Sequence, residues 1–168
     1  VTSRRWFASK TREVTHAHVL DGAALHEGEP ELRVELVEVG FDTGTHETYQ
    51  LLTSGEDLDA LADPRHVREL VHMIRGGASV EAGEGVLEFR ALEGFAGLGK
   101  ELTSARVITS EQSNTSIVFD EELILKIFRR LEPGPNPDVE ITRVLAEAGV
   151  PHVLAPLAEL RRDDTDLA

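Results

Sequence analysis

The residues best suited to chemistry in this chain are one lysine, one glutamate and a run of small polar side chains. Lys126 lies inside the apolar segment LILKIF, residues 123–128, where a solvated lysine is uncommon. Glu140 follows near the start of the next predicted helix, and residues 110–115, SEQSNT, form a small polar loop. Such a loop, beside a lysine that has a carboxylate partner, suits phosphate oxygens. By itself a polar loop between strands is structurally ordinary, so the lysine carries most of this prediction.

Two strand-like segments position the loop. Residues 105–109, ARVIT, and 116–119, SIVF, flank it, so the loop is predicted to close a hairpin, with the lysine segment as the next strand. The loop consists of Ser110, Glu111, Gln112, Ser113, Asn114 and Thr115, and its small residues let backbone N–H groups approach an anion closely.

A helix is predicted after the lysine strand. Asn136 suits its capping position, Pro137 suits its first turn, and Gly149 suits its end. If its apolar side faces the sheet, Glu140 turns inward and pairs with Lys126. An equally weighted interpretation has Lys126 reaching solvent at the sheet edge and Glu140 as a solvated acid.

The first hundred residues have a different pattern. Four segments with the composition of strands are separated by turn-rich connectors: 11–20, 31–41, 47–54 and 85–94. A helix is predicted to begin after Asp63 and to be stopped by Gly76 with Gly77, and a shorter helical turn is predicted to start near Ser54. Alternation in the second segment predicts a sheet with one wet face. The expected class is α+β, a curved antiparallel sheet packed on one main helix.

Composition excludes several classes of protein. The 168 residues carry a net charge of −14, so nucleic acid and anionic membranes are not expected partners. The sequence has no cysteine, which excludes disulfides and thiolate metal sites and favours a reducing cytoplasm. No signal peptide or membrane-spanning segment is predicted.

Seven histidines raise the question of a metal site. His16 and His18 share one face of a predicted strand, at a spacing of two residues. No third ligand lies near them in the sequence, so we expect a solvated strand face and assign no metal ligand.

Several strings of the chain resemble a known family. EQSNTSIVF, LILKIFRRLEPGPNPDVEITRVL and GVPHV closely resemble the kinase N-lobe of bacterial maltokinases, which are relatives of the aminoglycoside phosphotransferases. RRWFASK, near the N-terminus, resembles the opening of the cap domain that precedes the kinase fold in maltokinases and in their fusions to trehalose synthase. On this resemblance, residues 1–101 are the maltokinase cap, cystatin-like in outline. Residues 102–168 are then part of a kinase-like N-lobe with the phosphate loop, the lysine strand and a helix of the αC type.

The resemblance implies a function and roles for individual residues. The family transfers the γ-phosphate of ATP to maltose, and the maltose 1-phosphate formed enters glycogen and other α-glucan synthesis from trehalose. By position, Ser113, Asn114 and Thr115 belong to the phosphate-covering loop, and Lys126, with Glu140 as its helix partner, grips the α and β phosphates. Val107 and Val118 would touch the adenine.

The sequence departs from the family in one respect. The catalytic aspartate, the Mg²⁺ ligands and most sugar contacts lie in a C-lobe whose motifs are not found here, so no catalytic residue is assigned and we expect this segment alone to be inactive. The apolar face that a C-lobe would cover is then expected to form a homodimer or to dock to the cap. Two alternatives stay open. One is a non-catalytic module that binds a kinase C-lobe or a trehalose synthase, and the other is a related kinase with a different acceptor.

Overall fold

The computed structural model describes residues 3–95, 104–108 and 113–168. The strands in these ranges are β1 (Val14–His26), β2 (Leu32–Phe41), β3 (His46–Thr53), β4 (Ser79–Ala82), β5 (Gly85–Ala91), β6 (Ala105–Ile108), β7 (Asn114–Phe119), β8 (Leu123–Phe128), β9 (Arg130–Leu131), β10 (Ala158–Arg162) and β11 (Thr165–Asp166). The helices are a 3₁₀ turn (Ala60–Ala62), α1 (Pro64–Gly76) and α2 (Pro137–Glu147).

The described strands form three antiparallel sheets. Their orders are β1-β2-β3-β9, β11-β10-β5-β4 and β6-β7-β8. All strand pairings within the described ranges are antiparallel. Antiparallel sheets with helices set apart along the chain are the α+β class, which confirms the class predicted from the sequence.

Helix α1 follows directly from its sequence. The Asp63 carboxylate accepts a hydrogen bond from the backbone N–H of Arg65 at 2.8 Å, and Pro64 occupies the first turn. Gly77, at φ 59°, ends the helix in the left-handed region that glycine adopts without strain. The buried side of the helix, which includes Val67 and Leu70, packs into the main core with side chains of all three sheets.

A second, smaller core lies on the other side of β2 and β3. Trp6 and Phe7, both 1% exposed, pack against Tyr49, with ring centroids 6.1 and 5.1 Å from the tyrosine ring. The prediction of one wet sheet face is therefore wrong at this end of the sheet. The residues before β1 fold back to cover it, and alternation within a strand does not reveal such a cover.

Strands from both predicted segments pair with one another. β9 pairs with β3, and β10 pairs with β5, so residues after 104 complete sheets that begin before residue 92. The predicted boundary between residues 101 and 102 lies outside the described residues and stays a prediction. The helical turn predicted near Ser54 is instead an isolated bridge between Ser54 and Asp57, and the 3₁₀ turn follows it.

None of the helices in the described residues has the length and apolar character needed to cross a membrane.

Candidate functional site

Lys126 lies in the middle of β8, at the edge of the three-stranded sheet. It is directly opposite Ser116 on β7, and the neighbouring pairs on the same face are Asn114 with Phe128 and Val118 with Ile124. Asn114 and Ser116 therefore lie on the same face as the lysine, and of these two Asn114 is partly exposed whereas Ser116 is only 2% exposed. The Lys126 side chain is 37% exposed, so its ammonium group is open to solvent.

The opposite face of this sheet belongs to the core. Thr115, Ile117 and Ile127 are at most 2% exposed, and Val107, which is opposite Ile117, packs against the same core. Val107 and Val118 therefore lie on opposite faces of the sheet, and the structure does not bring them together as one adenine-contacting surface.

The partner of Lys126 is Asp138. The Lys126 Nζ lies 2.7 Å from the Asp138 Oδ2, whereas Glu140, the partner expected from the sequence, is exposed. The rotation of α2 explains this correction. Val139 is the helix residue that packs against the core, and its neighbours in sequence point about 100° to either side of it, so Asp138 faces the lysine and Glu140 faces away.

Polar contacts hold α2 in place. The backbone N–H of Asn136 donates to the Asp166 carboxylate at 2.8 Å, and Arg143 pairs with Glu159 at 3.1 Å. The Asn136 side chain caps the helix by accepting from the N–H of Asp138 at 2.9 Å.

The apolar side of α2 does not face the sheet as the sequence predicted. No residue of the helix is buried, and Ile141 and Val144 are 59% and 61% exposed. In the described residues, α2 is therefore attached mainly by charge and hydrogen bonds.

The predicted phosphate loop is described only in part. Ser110, Glu111 and Gln112 lie outside the described residues. Ser113 is exposed, and its backbone carbonyl accepts from the N–H of Arg129 at 3.3 Å. Asn114 is half-buried on the Lys126 face, and the Thr115 hydroxyl points to the other side, where it accepts from the Arg129 Nε at 2.9 Å.

Arg129 is the buried cation behind this hairpin. Its side chain is fully buried, forms an ion pair with Asp59, and lies 5.1 Å from the centroid of the Trp6 ring. Burial lowers the pKa of Arg129, and the ion pair with Asp59 opposes that shift. Arg129 thus fixes the base of the hairpin to the 3₁₀ turn and to the N-terminal segment.

The arrangement on the Lys126 face can bind an anion with only a small loss of stability from the displaced ion pair. An ion pair as exposed as Lys126 with Asp138 contributes roughly 0.2–1 kcal/mol to stability, so an incoming phosphate can compete for the ammonium group. Asn114 supplies an amide on the same face, whereas Ser116 is only 2% exposed. The carboxylate of Asp138 keeps the lysine oriented when no anion is bound.

Two residues of this site were missed by the sequence analysis. Ser116 is read as part of an apolar strand, and only the β7–β8 register shows that it lies opposite the lysine. Asp138 lies in the same helical turn as Glu140, so the sequence indicated an acidic partner for Lys126 in that turn. The choice between the two acids depends on the rotation of the helix.

The N-terminal part of the chain matches a known protein family. A family model described as the maltokinase N-terminal cap domain matches residues 1–82. This range contains the N-terminal segment that carries Trp6 and Phe7, strands β1 to β4 and helix α1. Residues 1–82 therefore match the maltokinase N-terminal cap domain family, and this match supports a maltokinase-related origin for the chain.

Proposed function

We propose that this chain supplies the cap and part of the ATP-binding lobe of a maltokinase. The reaction transfers the γ-phosphoryl group of ATP to the anomeric hydroxyl of maltose, giving maltose 1-phosphate and ADP with release of the hydroxyl proton. The single observation that carries the proposal is the cap-family match over residues 1–82, followed in the same chain by a lysine strand and a helix that bears its carboxylate partner.

The Lys126 face fits a nucleotide phosphate chain. An ammonium group beside an amide donor neutralises and orients phosphate oxygens, and positioning with charge stabilisation supplies most of the catalysis in phosphoryl transfer. In this proposal Lys126 grips the α and β phosphates, and Asp138 holds the lysine. Mg²⁺ is proposed to accompany the phosphates, and none of the residues named here is assigned as its ligand.

A second candidate function is a non-catalytic module. It is favoured by the exposed apolar side of α2, where Ile141 and Val144 are well over half exposed. A kinase C-lobe or a trehalose synthase would cover that side, and the chain would then act through this contact instead of through Lys126.

The proposal is tested by measuring which acceptor is phosphorylated and which phosphate ester forms. The full-length protein that contains this chain is incubated with ATP and Mg²⁺ and with maltose, an aminoglycoside or choline as acceptor, and the products are followed by ³¹P NMR. The proposal predicts a phosphate ester that forms only with maltose and resonates as an anomeric phosphate. Phosphorylation of another acceptor only would select the related-kinase alternative, and no phosphorylation together with retained binding to a protein partner would select the non-catalytic module.

A further inference from the structure

Two histidines and a glutamate meet on the exposed surface of the first sheet. His16 and His18 project from one face of β1, which is an edge strand, and the register places Glu38 of β2 directly opposite His18. The sequence showed the two histidines but no third donor. The third donor comes from the neighbouring strand, twenty residues after His18 in the chain.

The donor atoms of this cluster, which we call the His-His-Glu cluster, point at one another. The Glu38 Oε1 lies 3.9 Å from the His16 Nε2 and 3.7 Å from the His18 Nε2. One ligand atom from each residue lies within 4.8 Å of the other two. The two imidazole rings are stacked, with centroids 5.8 Å apart and planes inclined by 17°.

Two neighbouring residues orient the His16 ring. The Thr15 hydroxyl is 3.1 Å from the His16 Nδ1, so an Nδ1–H that donates to it leaves the lone pair on the Nε2, toward Glu38. Gly40 is opposite His16, and a Cβ at this glycine would lie 2.0 Å from the His16 Cε1. The glycine therefore leaves the space in which the imidazole lies across the sheet toward the other two donors.

We propose that the His-His-Glu cluster binds a divalent first-row transition metal ion such as Zn²⁺. Imidazole nitrogens with one carboxylate form a common ligand set for such ions. Bonds of about 2.0–2.2 Å around a tetrahedral ion place ligand atoms ~3.3 Å apart, so Glu38 needs to close on each histidine by about half an ångström. The donor atoms of the two histidines lie within 4.8 Å of each other and need to close by at most about 1.5 Å. The His16 and His18 side chains are 56% and 52% exposed, which leaves them free to rotate toward the ion.

The site has a defined consequence for the fold. A metal ion at this position ties the edge strand β1 to β2 and leaves at least one coordination position for water or for a fourth ligand from another molecule. This site is separate from Lys126 and does not depend on the proposed kinase function.

The test is a zinc titration of the full chain, prepared without a histidine tag, by isothermal titration calorimetry. The proposal predicts one equivalent of Zn²⁺ bound with a dissociation constant on the order of micromolar. Loss of a residue that only orients a ligand weakens metal binding by about 10- to 100-fold, so His16→Gln, His18→Gln and Glu38→Gln should each weaken zinc binding at least that much. His72→Gln, which changes an exposed histidine on α1, is the matched control and should leave zinc binding unchanged.

A second variant keeps all three donors. Gly40→Ala places a methyl group in the space of the His16 ring, so it should also weaken zinc binding while His72→Gln does not. Circular dichroism and thermal unfolding show whether each variant remains folded. The absence of zinc binding to the wild-type chain at millimolar concentration would overturn the proposal, as would equal zinc binding by the wild type and a folded His16→Gln/His18→Gln double variant.

Discussion

The ion pair between Arg129 and Asp59 gives the sharpest test of how the two predicted segments are joined. Arg129 is fully buried next to Trp6 and Thr115, and the Asp59 side chain, which is 33% exposed, is its charged partner. The Asp59→Asn substitution keeps the size of that side chain and removes its charge. The arginine then stays buried without a counter-charge.

The expected loss of stability follows from these exposures. Removing one member of a fully buried ion pair lowers the free energy of unfolding by roughly 3–5 kcal/mol. Because water surrounds the partly exposed Asp59, the expected loss for Asp59→Asn is about 2–3 kcal/mol. Arg129→Met removes the buried charge itself and leaves Asp59 able to hydrate, so it should cost less, about 1–2 kcal/mol, mainly from the lost hydrogen bond to Thr115. The double variant should therefore be no less stable than Asp59→Asn alone.

Urea unfolding followed by tryptophan fluorescence measures these changes. Trp6 is the only tryptophan in the sequence and is 1% exposed beside the arginine, so its emission reports on this region. Asp57→Asn, which removes an exposed acid 4.0 Å from Arg4, is the matched control and should change stability by less than about 0.5 kcal/mol. If Asp59→Asn lowers the free energy of unfolding no more than this control does, the buried ion pair does not stabilise the fold and the reasoning is refuted.

Three further predictions concern other parts of the fold. Burial first, and then the hydrogen bond to Glu47, raise the pKa of Tyr49 to about 12. Tyr49 is the only tyrosine, so absorbance at 295 nm should show a midpoint near that value in the folded chain, and a midpoint near 10 would contradict its burial. Burial raises the pKa of Glu47, but hydrogen bonds from Tyr49 and Ser9 and nearby arginines outweigh this effect and hold the pKa below 4.5. The unfolded chain therefore takes up this proton first as the pH falls below about 4.5, and the free energy of unfolding should decrease there more steeply in the wild type than in Glu47→Gln. Val144→Lys on the exposed side of α2 should change stability by less than about 0.5 kcal/mol, whereas Leu70→Ala on the buried side of α1 should cost about 2–5 kcal/mol, and a similar cost for both would show that α2 is covered.

The sequence was sufficient wherever the determining signal is local. The cap and stop residues of α1, Asp63 and Gly77, lie next to the helix they bound, and its apolar side repeats at helical spacing. The apolar run around Lys126 likewise predicts a strand, and β8 covers that run, residues 123–128. These features depend on neighbours within a few residues.

The features that the sequence did not predict depend on distant neighbours. Whether Asp138 or Glu140 meets Lys126 is decided by the rotation of α2 on the sheet, and helical periodicity does not fix that rotation when the apolar side stays exposed. The short strands β9 and β11 have two residues each and form only because a longer strand lies beside them. Glu38 joins His16 and His18 through strand register, which a spacing rule along one strand does not include.

The measurement that tests the central claim most directly is maltose-dependent release of ADP by the full-length protein and by two lysine variants. Lys126→Met removes the ammonium group proposed to grip the phosphates and should lower kcat/KM by about 10³-fold or more, with the fold retained. Lys10→Met, at an exposed lysine of the N-terminal segment, should leave kcat/KM unchanged. Equal activity of the Lys126→Met variant and the wild type would contradict the assignment of this face to ATP.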